Sequence, residues 1–200
     1  EDGNVLGSSI TNEDGVASIT ADAQVIGNHY YKASFSGDRK YKKSNTDILI
    51  TVIDPAKKIV ITGGPGTGKS SIINELIKRG YTCFEEVSRQ ITLDARKEGI
   101  EQLFLTKPLL FSELLLKSRK QQFTDAVHSD SEFVFLDRGI PDIVAYMDYI
   151  GDSYPEEFIT PCQDHTYDYV FILGPWQEIF TSDNERYENF EQAVEIHEHL

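Results

Sequence analysis

The stretch Gly63-Gly64-Pro65-Gly66-Thr67-Gly68-Lys69-Ser70 constrains this chain more than any other. It fits G-x-x-x-x-G-K-[ST], a loop that cradles phosphate when a strand runs into it and a helix runs out of it. The flanking patterns meet both conditions. Residues 58–62 form a short apolar run of buried-strand type. Residues 69–79 carry Ile72, Ile73, Leu76 and Ile77 at helical spacing, which predicts one apolar face. In such a loop the glycines let backbone N–H groups turn inward around phosphate oxygens, and the helix N-terminus adds its partial positive charge. Gly63, Gly64, Pro65, Gly66, Thr67 and Gly68 would then wrap a nucleoside triphosphate, ATP or GTP. Lys69 would reach its outer phosphates, and the Ser70 hydroxyl would ligate Mg²⁺. The competing reading is a Gly-rich turn that binds nothing.

The rest of the second half keeps the alternation of strand and helix. Strand patterns at 81–84, 133–136 and 169–173 alternate with helical patterns at 108–128, 141–150 and 190–200. That order predicts a parallel sheet with crossover helices on both faces.

The strand at 133–136 ends in Asp137-Arg138-Gly139. Four apolar residues and then an acid place a carboxylate beside the phosphate loop, where Asp137 would hold Mg²⁺. The competing role for Asp137 is a cap on the helix that starts near Pro141. A motor-type ATPase usually carries Glu after this Asp; Arg138 stands there instead. An Asp-Arg pair resembles nucleoside and nucleotide kinases, and a guanidinium fork suits a transferring phosphate. A plain ion pair of Arg138 with Asp142, one helical turn on, is the alternative.

Two further candidates flank the cleft. Glu86, in Glu85-Glu86-Val87-Ser88-Arg89, follows the second strand of this half and could accept a proton from a substrate hydroxyl. Its spacing to Arg89 suits one helical face, so a local ion pair competes with that role. Arg186 follows the fourth strand and could stabilise charge in phosphoryl transfer. It and Arg138 are the only basic residues among 125–200, against 18 acids. Asp183 as a helix cap, with Arg186 paired to neighbouring acids, is the other reading. His197 and His199, two apart on a helix, point to different faces and make poor metal geometry.

Residues 1–53 have another period. Runs at 16–20, 29–35 and 47–53 alternate apolar and polar residues, and turn chemistry separates them at Asn12-Glu13-Asp14-Gly15, Gly27-Asn28 and Ser36-Gly37-Asp38. An all-β segment of three or four strands is the expectation. Pro55 biases Asp54 away from helix and cannot donate to a ladder, so a linker at 54–57 separates this segment from 58–200.

Over 19 basic residues against 33 acidic ones the formal net charge is −14. Unspecific nucleic-acid binding needs the opposite sign. No apolar run approaches the roughly 20 residues that span a bilayer. Cys83 and Cys162 show no metal or redox spacing.

Residues 57–200 resemble the AAA-type P-loop domain family of the NadR and translocation-defect-protein kind. The resemblance is carried by 58–70, Glu86-Val87-Ser88-Arg89, Phe135-Leu136-Asp137-Arg138-Gly139-Ile140-Pro141-Asp142, and 169–173 with 183–190. It implies ATP or GTP binding, a fold akin to small kinases, and a cytoplasmic setting. The family's last strand and helix would follow Leu200, so the chain is expected to be a truncated piece; Glu1 in place of Met points the same way.

Residues 1–53 resemble part of a bacterial immunoglobulin-like repeat, through Leu6-Gly7, 11–17, Gly27 with Tyr31 and Ala33, and Phe35-Ser36-Gly37-Asp38 with Tyr41. That resemblance implies a cell-surface spacer or adhesion module.

The expectation is therefore an α/β P-loop NTPase with a small partial immunoglobulin-like segment in front. Its function would be Mg²⁺-dependent binding of ATP or GTP, with kinase-like transfer to a small hydroxyl-bearing acceptor. Lys69, Glu86, Asp137, Arg138 and Arg186 would be catalytic. Two other classes stay open: a nucleotide-dependent switch with slow hydrolysis, and a non-enzymatic surface module.

Overall fold

In the computed structural model, residues 5–20, 25–52, 54–180 and 188–200 are described. They divide into two compact units, Glu1–Asp54 and Pro55–Leu200.

In the first unit, β1 (Gly27–Phe35) pairs antiparallel with β2 (Ser44–Val52) in an uninterrupted register from Gly27↔Val52 to Phe35↔Ser44. Asp38 holds the connecting loop: its carboxylate accepts from the amides of Lys40 at 2.7 Å and Tyr41 at 2.6 Å. The expected turn at 12–15 also forms, with Asn12 Oδ1 accepting from the amides of Asp14 and Val16. The run at 16–20 is a correction. It alternates as a strand would, yet it lies outside any sheet and is exposed throughout. Alternation makes a strand only where a neighbour completes the ladder. No described residue of this unit is buried. The described residues of this unit thus form a β-hairpin, and none of them supports an immunoglobulin-like sandwich, which needs two packed sheets.

The second unit is α/β. Its four parallel strands are β3 (Lys57–Gly63), β4 (Thr82–Phe84), β5 (Phe133–Asp137) and β6 (Tyr169–Leu173), in the order β4-β5-β3-β6. Helices α1 (Lys69–Lys78), α2 (Ser88–Lys97), α3 (Leu103–Thr106) and α4 (Pro108–Val127) precede β5. After it come α5 (Pro141–Ile150), a 3-10 turn (Glu156–Phe158), α6 (Ile159–Asp164) and, beyond β6, α7 (Phe190–His199). The β3-to-β4 step runs one way across the sheet, and β4-to-β5 and β5-to-β6 run the other. Right-handed crossovers then put α1 on one face and α4 with α5 on the opposite face. Leu115 of α4, Ile143 and Met147 of α5, and Phe158 form one buried cluster on the second face. Val60, Val134 and Leu136 of the two central strands form another with Ala56 and Ala126.

Helix α1 buries less than its periodicity predicts. Ile73 is buried and Leu76 half-buried, but Ile72 and Ile77 are exposed. A short helix lying on three strands needs only the narrow stripe at i and i+3. In this unit seven expected helix or strand boundaries shift, each by one residue, as frayed termini do. The sequence pattern gives no signal for α3 and α6, and for α2 it gives only a helix start near Glu86. They are short, and α2 carries a polar sequence, Ser88-Arg89-Gln90-Ile91-Thr92-Leu93-Asp94-Ala95-Arg96-Lys97, that buries only Ala95.

Tyr167 ties the β5–α5 connection to the start of β6. Its hydroxyl accepts from the amide of Ile140 at 3.1 Å, and Ile140 is fully buried. Tyr167→Phe keeps the ring and strands that amide, so the variant is expected to lose about 1–3 kcal/mol. Denaturant unfolding beside the unaltered protein measures it; an unchanged midpoint would show that the bond contributes nothing.

Candidate functional site

The strand order reverses direction between β3 and β5, and ligands in open α/β sheets bind beyond the strand C-termini at such a point. Two sequence-predicted segments meet there: the loop after β3, and Asp137-Arg138 at the end of β5. In the register, Ile61 of β3 stands beside Asp137.

The loop is shaped by its glycines. Gly68, at φ +87°, forms the left-handed entry to α1. A Cβ at Gly63, at φ +144°, would stand 2.9 Å from Thr67 Oγ1. Either position strongly disfavours a side chain. Thr67 Oγ1 closes the turn by donating to the Gly64 carbonyl at 2.9 Å. Gly64 and Gly66 face other parts of the chain: a Cβ on Gly64 would lie 2.6 Å from the Ala193 carbonyl oxygen, and one on Gly66 would run into the Phe180 ring. Pro65 is half-buried and Ser70 exposed at the mouth.

Lys69 is buried and folds back over this loop. Its Nζ donates to the carbonyls of Gly63 at 2.8 Å and Gly64 at 2.7 Å. Burial, reinforced by the charge of Arg138, lowers its pKa to about 7, with Asp137, Glu86 and Asp142 pulling the other way. An ammonium held this way is poised to exchange neutral carbonyls for anionic phosphate oxygens, which are stronger partners.

Asp137 is 5% exposed, and its Oδ1 is buried without a hydrogen bond. Burial, with the charge of Glu86, raises its pKa to about 6. It does not cap α5. That helix starts after Ile140, and it is Asp142 Oδ2 that accepts the Gly139 amide, at 2.9 Å.

Arg138 holds the left-handed conformation at φ +74°, which is uncommon for a residue with a side chain. Its amide donates to the Ile61 carbonyl at 3.0 Å. Its guanidinium joins two acids: Nε meets Glu86 Oε2 at 2.7 Å and Nη1 meets Asp142 Oδ1 at 3.2 Å. Burial opposes the charge, but Glu86 and Asp142 outweigh it and raise the pKa of Arg138 further. The Asp142 pair read as an alternative is thus present, together with a second partner. Asp142 also accepts from the Thr62 hydroxyl.

Glu86 departs from its expected pairing. It lies ahead of α2, which begins at Ser88, so Glu86 and Arg89 do not share a helical face. Its carboxylate bridges Arg138 and Arg119, with Arg119 Nη2 at 3.2 Å from Oε1. Burial would raise its pKa, but the two guanidiniums dominate and hold it at about 2.

Arg119 went unseen in the sequence. It is 4% exposed on α4 and also donates through Nη1 to the Gly139 carbonyl at 2.8 Å. Its burial follows from the fold: Ser112, Leu115, Arg119 and Ala126 are the buried residues of α4 and lie at helical spacing, but the sequence of α4 shows no clear apolar face that would mark that stripe. Arg186, with Asp183, lies outside the described residues.

Among the described residues no three His, Cys, Asp or Glu side chains cluster as metal ligands. A strand-end carboxylate together with the Ser70 hydroxyl of the loop is a donor set that suits Mg²⁺, which takes one or two protein ligands and completes its shell with phosphates and water. The orphaned Asp137 Oδ1 fits that demand. No helix among the described residues is long and apolar enough to cross a membrane.

A family model described as AAA domain matches residues 58–200. No curated protein matches the chain. Among solved structures, deoxyadenosine kinase from M. mycoides with bound dATP is 20% identical, covering 72% of this chain and 81% of that one at a TM-score of 0.47. The same kinase with bound dCTP is 18% identical, with coverages of 71% and 80% and a TM-score of 0.49. TT1252 from Thermus thermophilus is 14% identical, with coverages of 71% and 94% and a TM-score of 0.25. All three fall below a TM-score of 0.5.

Proposed function

The chain belongs to the AAA domain family over residues 58–200, and from that premise we propose a Mg²⁺-dependent, kinase-like phosphotransferase that uses ATP or GTP. The observation that carries this reading is the meeting of the Lys69 loop, the Asp137 carboxylate with its unbonded Oδ1, and the Arg138–Glu86 pair at the ends of adjacent strands. Residues 63–70 hold the triphosphate. Ser70 and Asp137 hold Mg²⁺, which when bound neutralises charge on the phosphates. Lys69 turns from its loop carbonyls to the outer phosphate oxygens.

Arg138 is drawn to the transferring phosphate, where a guanidinium stabilises the charge on its oxygens. Arg186 is proposed for the same task. Glu86 is ionised at any physiological pH, since its pKa is held near 2. Such a carboxylate is a weak base, and a loose phosphoryl transition state asks little of one. Glu86 therefore orients the acceptor hydroxyl and takes its proton late. When Arg138 turns to the phosphate, Glu86 loses its nearer cation and becomes more basic.

The Asp-Arg sequence after β5 supports kinase over motor chemistry, and a NadR-like affiliation within the family accords with it. The proposed domain bounds are 58–200 for this enzyme, 54–57 for a linker and 1–53 for a spacer, for which an immunoglobulin-like origin is proposed only on resemblance.

An acceptor screen tests the reading. With radiolabelled ATP and Mg²⁺, label is expected to move to a small hydroxyl compound, with ADP forming only when that compound is present. ADP released at the same rate with and without every acceptor would instead describe an NTPase or a switch.

A further inference from the structure

The two arginines that bind Glu86 are held in different ways. Among the described residues the Arg138 guanidinium meets only side-chain carboxylates, those of Glu86 and Asp142, and Arg138 follows directly on Asp137. Arg119 is the more deeply buried of the two, at 4% against 12% side-chain exposure. It is also anchored to the backbone: Nη1 donates to the Gly139 carbonyl at 2.8 Å while Nη2 takes Glu86 Oε1 at 3.2 Å. A side chain fixed at two points in a packed interior gains little by moving. One paired only with exchangeable carboxylates can trade them for phosphate oxygens, because the new pairs are of the same charge-assisted kind.

The anchor matters for a second reason. Gly139 follows Arg138, whose left-handed backbone is costly for a residue with a Cβ. The Gly139 carbonyl is held by Arg119, and the Gly139 amide by Asp142 at 2.9 Å. One guanidinium therefore fixes both the carboxylate on the acceptor side and the turn that presents Arg138.

We propose that Arg119 is a positioning residue for phosphoryl transfer: it keeps Glu86 in place while Arg138 leaves Glu86 for the transferring phosphate. This rests on the phosphotransferase reading above. Arg119 touches no reacting atom in it and acts through Glu86 and the Gly139 turn.

The test compares Arg119→Met, Arg119→Lys, Glu86→Gln and the Arg119→Met/Glu86→Gln double variant in the full chain. Affinity for Mg·ATP and turnover are measured for each. Arg119→Met is expected to lower kcat about 100-fold, the scale on which small misplacements act, while the Mg·ATP affinity stays within about threefold. Adding Arg119→Met to Glu86→Gln is expected to cost little more than Glu86→Gln alone, because residues that act as a unit are not additive. Arg119→Lys keeps a buried cation but replaces the two-nitrogen fork with a single, shorter donor, and serves should the Met variant fail to fold; it too is expected to lose kcat rather than affinity. Multiplicative losses in the double variant, or affinity falling in step with kcat, would overturn the inference and leave the phosphotransferase reading intact. A folded wild-type chain that neither binds nor turns over nucleotide would remove that reading and the inference with it.

Discussion

Asp142→Ala is expected to destabilise the Pro55–Leu200 unit by about 3–5 kcal/mol, the range for breaking a buried ion pair. Asp142 is 5% exposed and accepts from three donors at once: the Thr62 hydroxyl, the Gly139 amide and the Arg138 guanidinium. Alanine leaves all three without this partner in a region sealed from water. Arg138 keeps Glu86, which limits the loss on that side. Thr62 and the Gly139 amide are both left short, on β3 and on the turn after β5. A domain of this size holds about 5–15 kcal/mol in all, so the variant would stand near the edge of folding. Asp142→Asn retains one acceptor oxygen and should lose less. Urea unfolding of the three proteins measures the series. A loss under about 1 kcal/mol for the alanine variant would mean that water replaces the carboxylate, and that the network is looser than its distances imply.

Lys69→Ala is expected to weaken Mg·ATP binding by about 100-fold or more, roughly 2.7 kcal/mol, as expected for lost charge-assisted bonds to phosphate. The same change should spare the nucleotide-free fold. A buried ammonium is costly to desolvate, and its removal offsets the loss of its two bonds to the Gly63 and Gly64 carbonyls. Its pKa gives this a sign. Lys69 titrates at about 7 in the fold, below its ordinary 10.5, so the unfolded chain binds the proton more tightly. Lys69 therefore contributes least to stability below pH 7, and stability rises as pH climbs from about 7 toward 10.5. That slope should flatten in Lys69→Ala. Unfolding at pH 7 and pH 9 checks it; equal slopes in both proteins would mean that the ammonium is better solvated than its burial implies.

What the sequence made legible was the part ruled by local chemistry. The phosphate loop needs glycine at fixed offsets, so Gly63, Gly68, Lys69 and Ser70 could be read as letters. Asp137 could be read because a carboxylate at the end of an apolar run has few other reasons to be there. The β-strands of the second unit were visible as short apolar runs, and Pro108 and Pro141 marked two helix starts. What stayed hidden depends on packing between distant segments. Arg119 lies 33 residues from Glu86 and 20 from Gly139, and only the fold brings them together. The Glu86–Arg89 spacing looked like a helical pair because the start of α2 fell two residues later than assumed. Residues 16–20 have a strand's alternation, but a strand also needs a neighbour, and the described residues supply none. Helix α2 is mostly polar: it buries Ala95 and packs Ile91, part-buried, against the cluster of α4 and α5.

The central claim is that residues 63–70 hold a nucleoside triphosphate. Calorimetric titration of the whole chain with ATP and with GTP, each with and without Mg²⁺, tests it most directly. The account predicts saturable binding of at least one nucleotide near one per chain, strengthened by Mg²⁺ and lost in Lys69→Ala. A folded chain that binds neither nucleotide, or binds one equally well without Lys69, would contradict it.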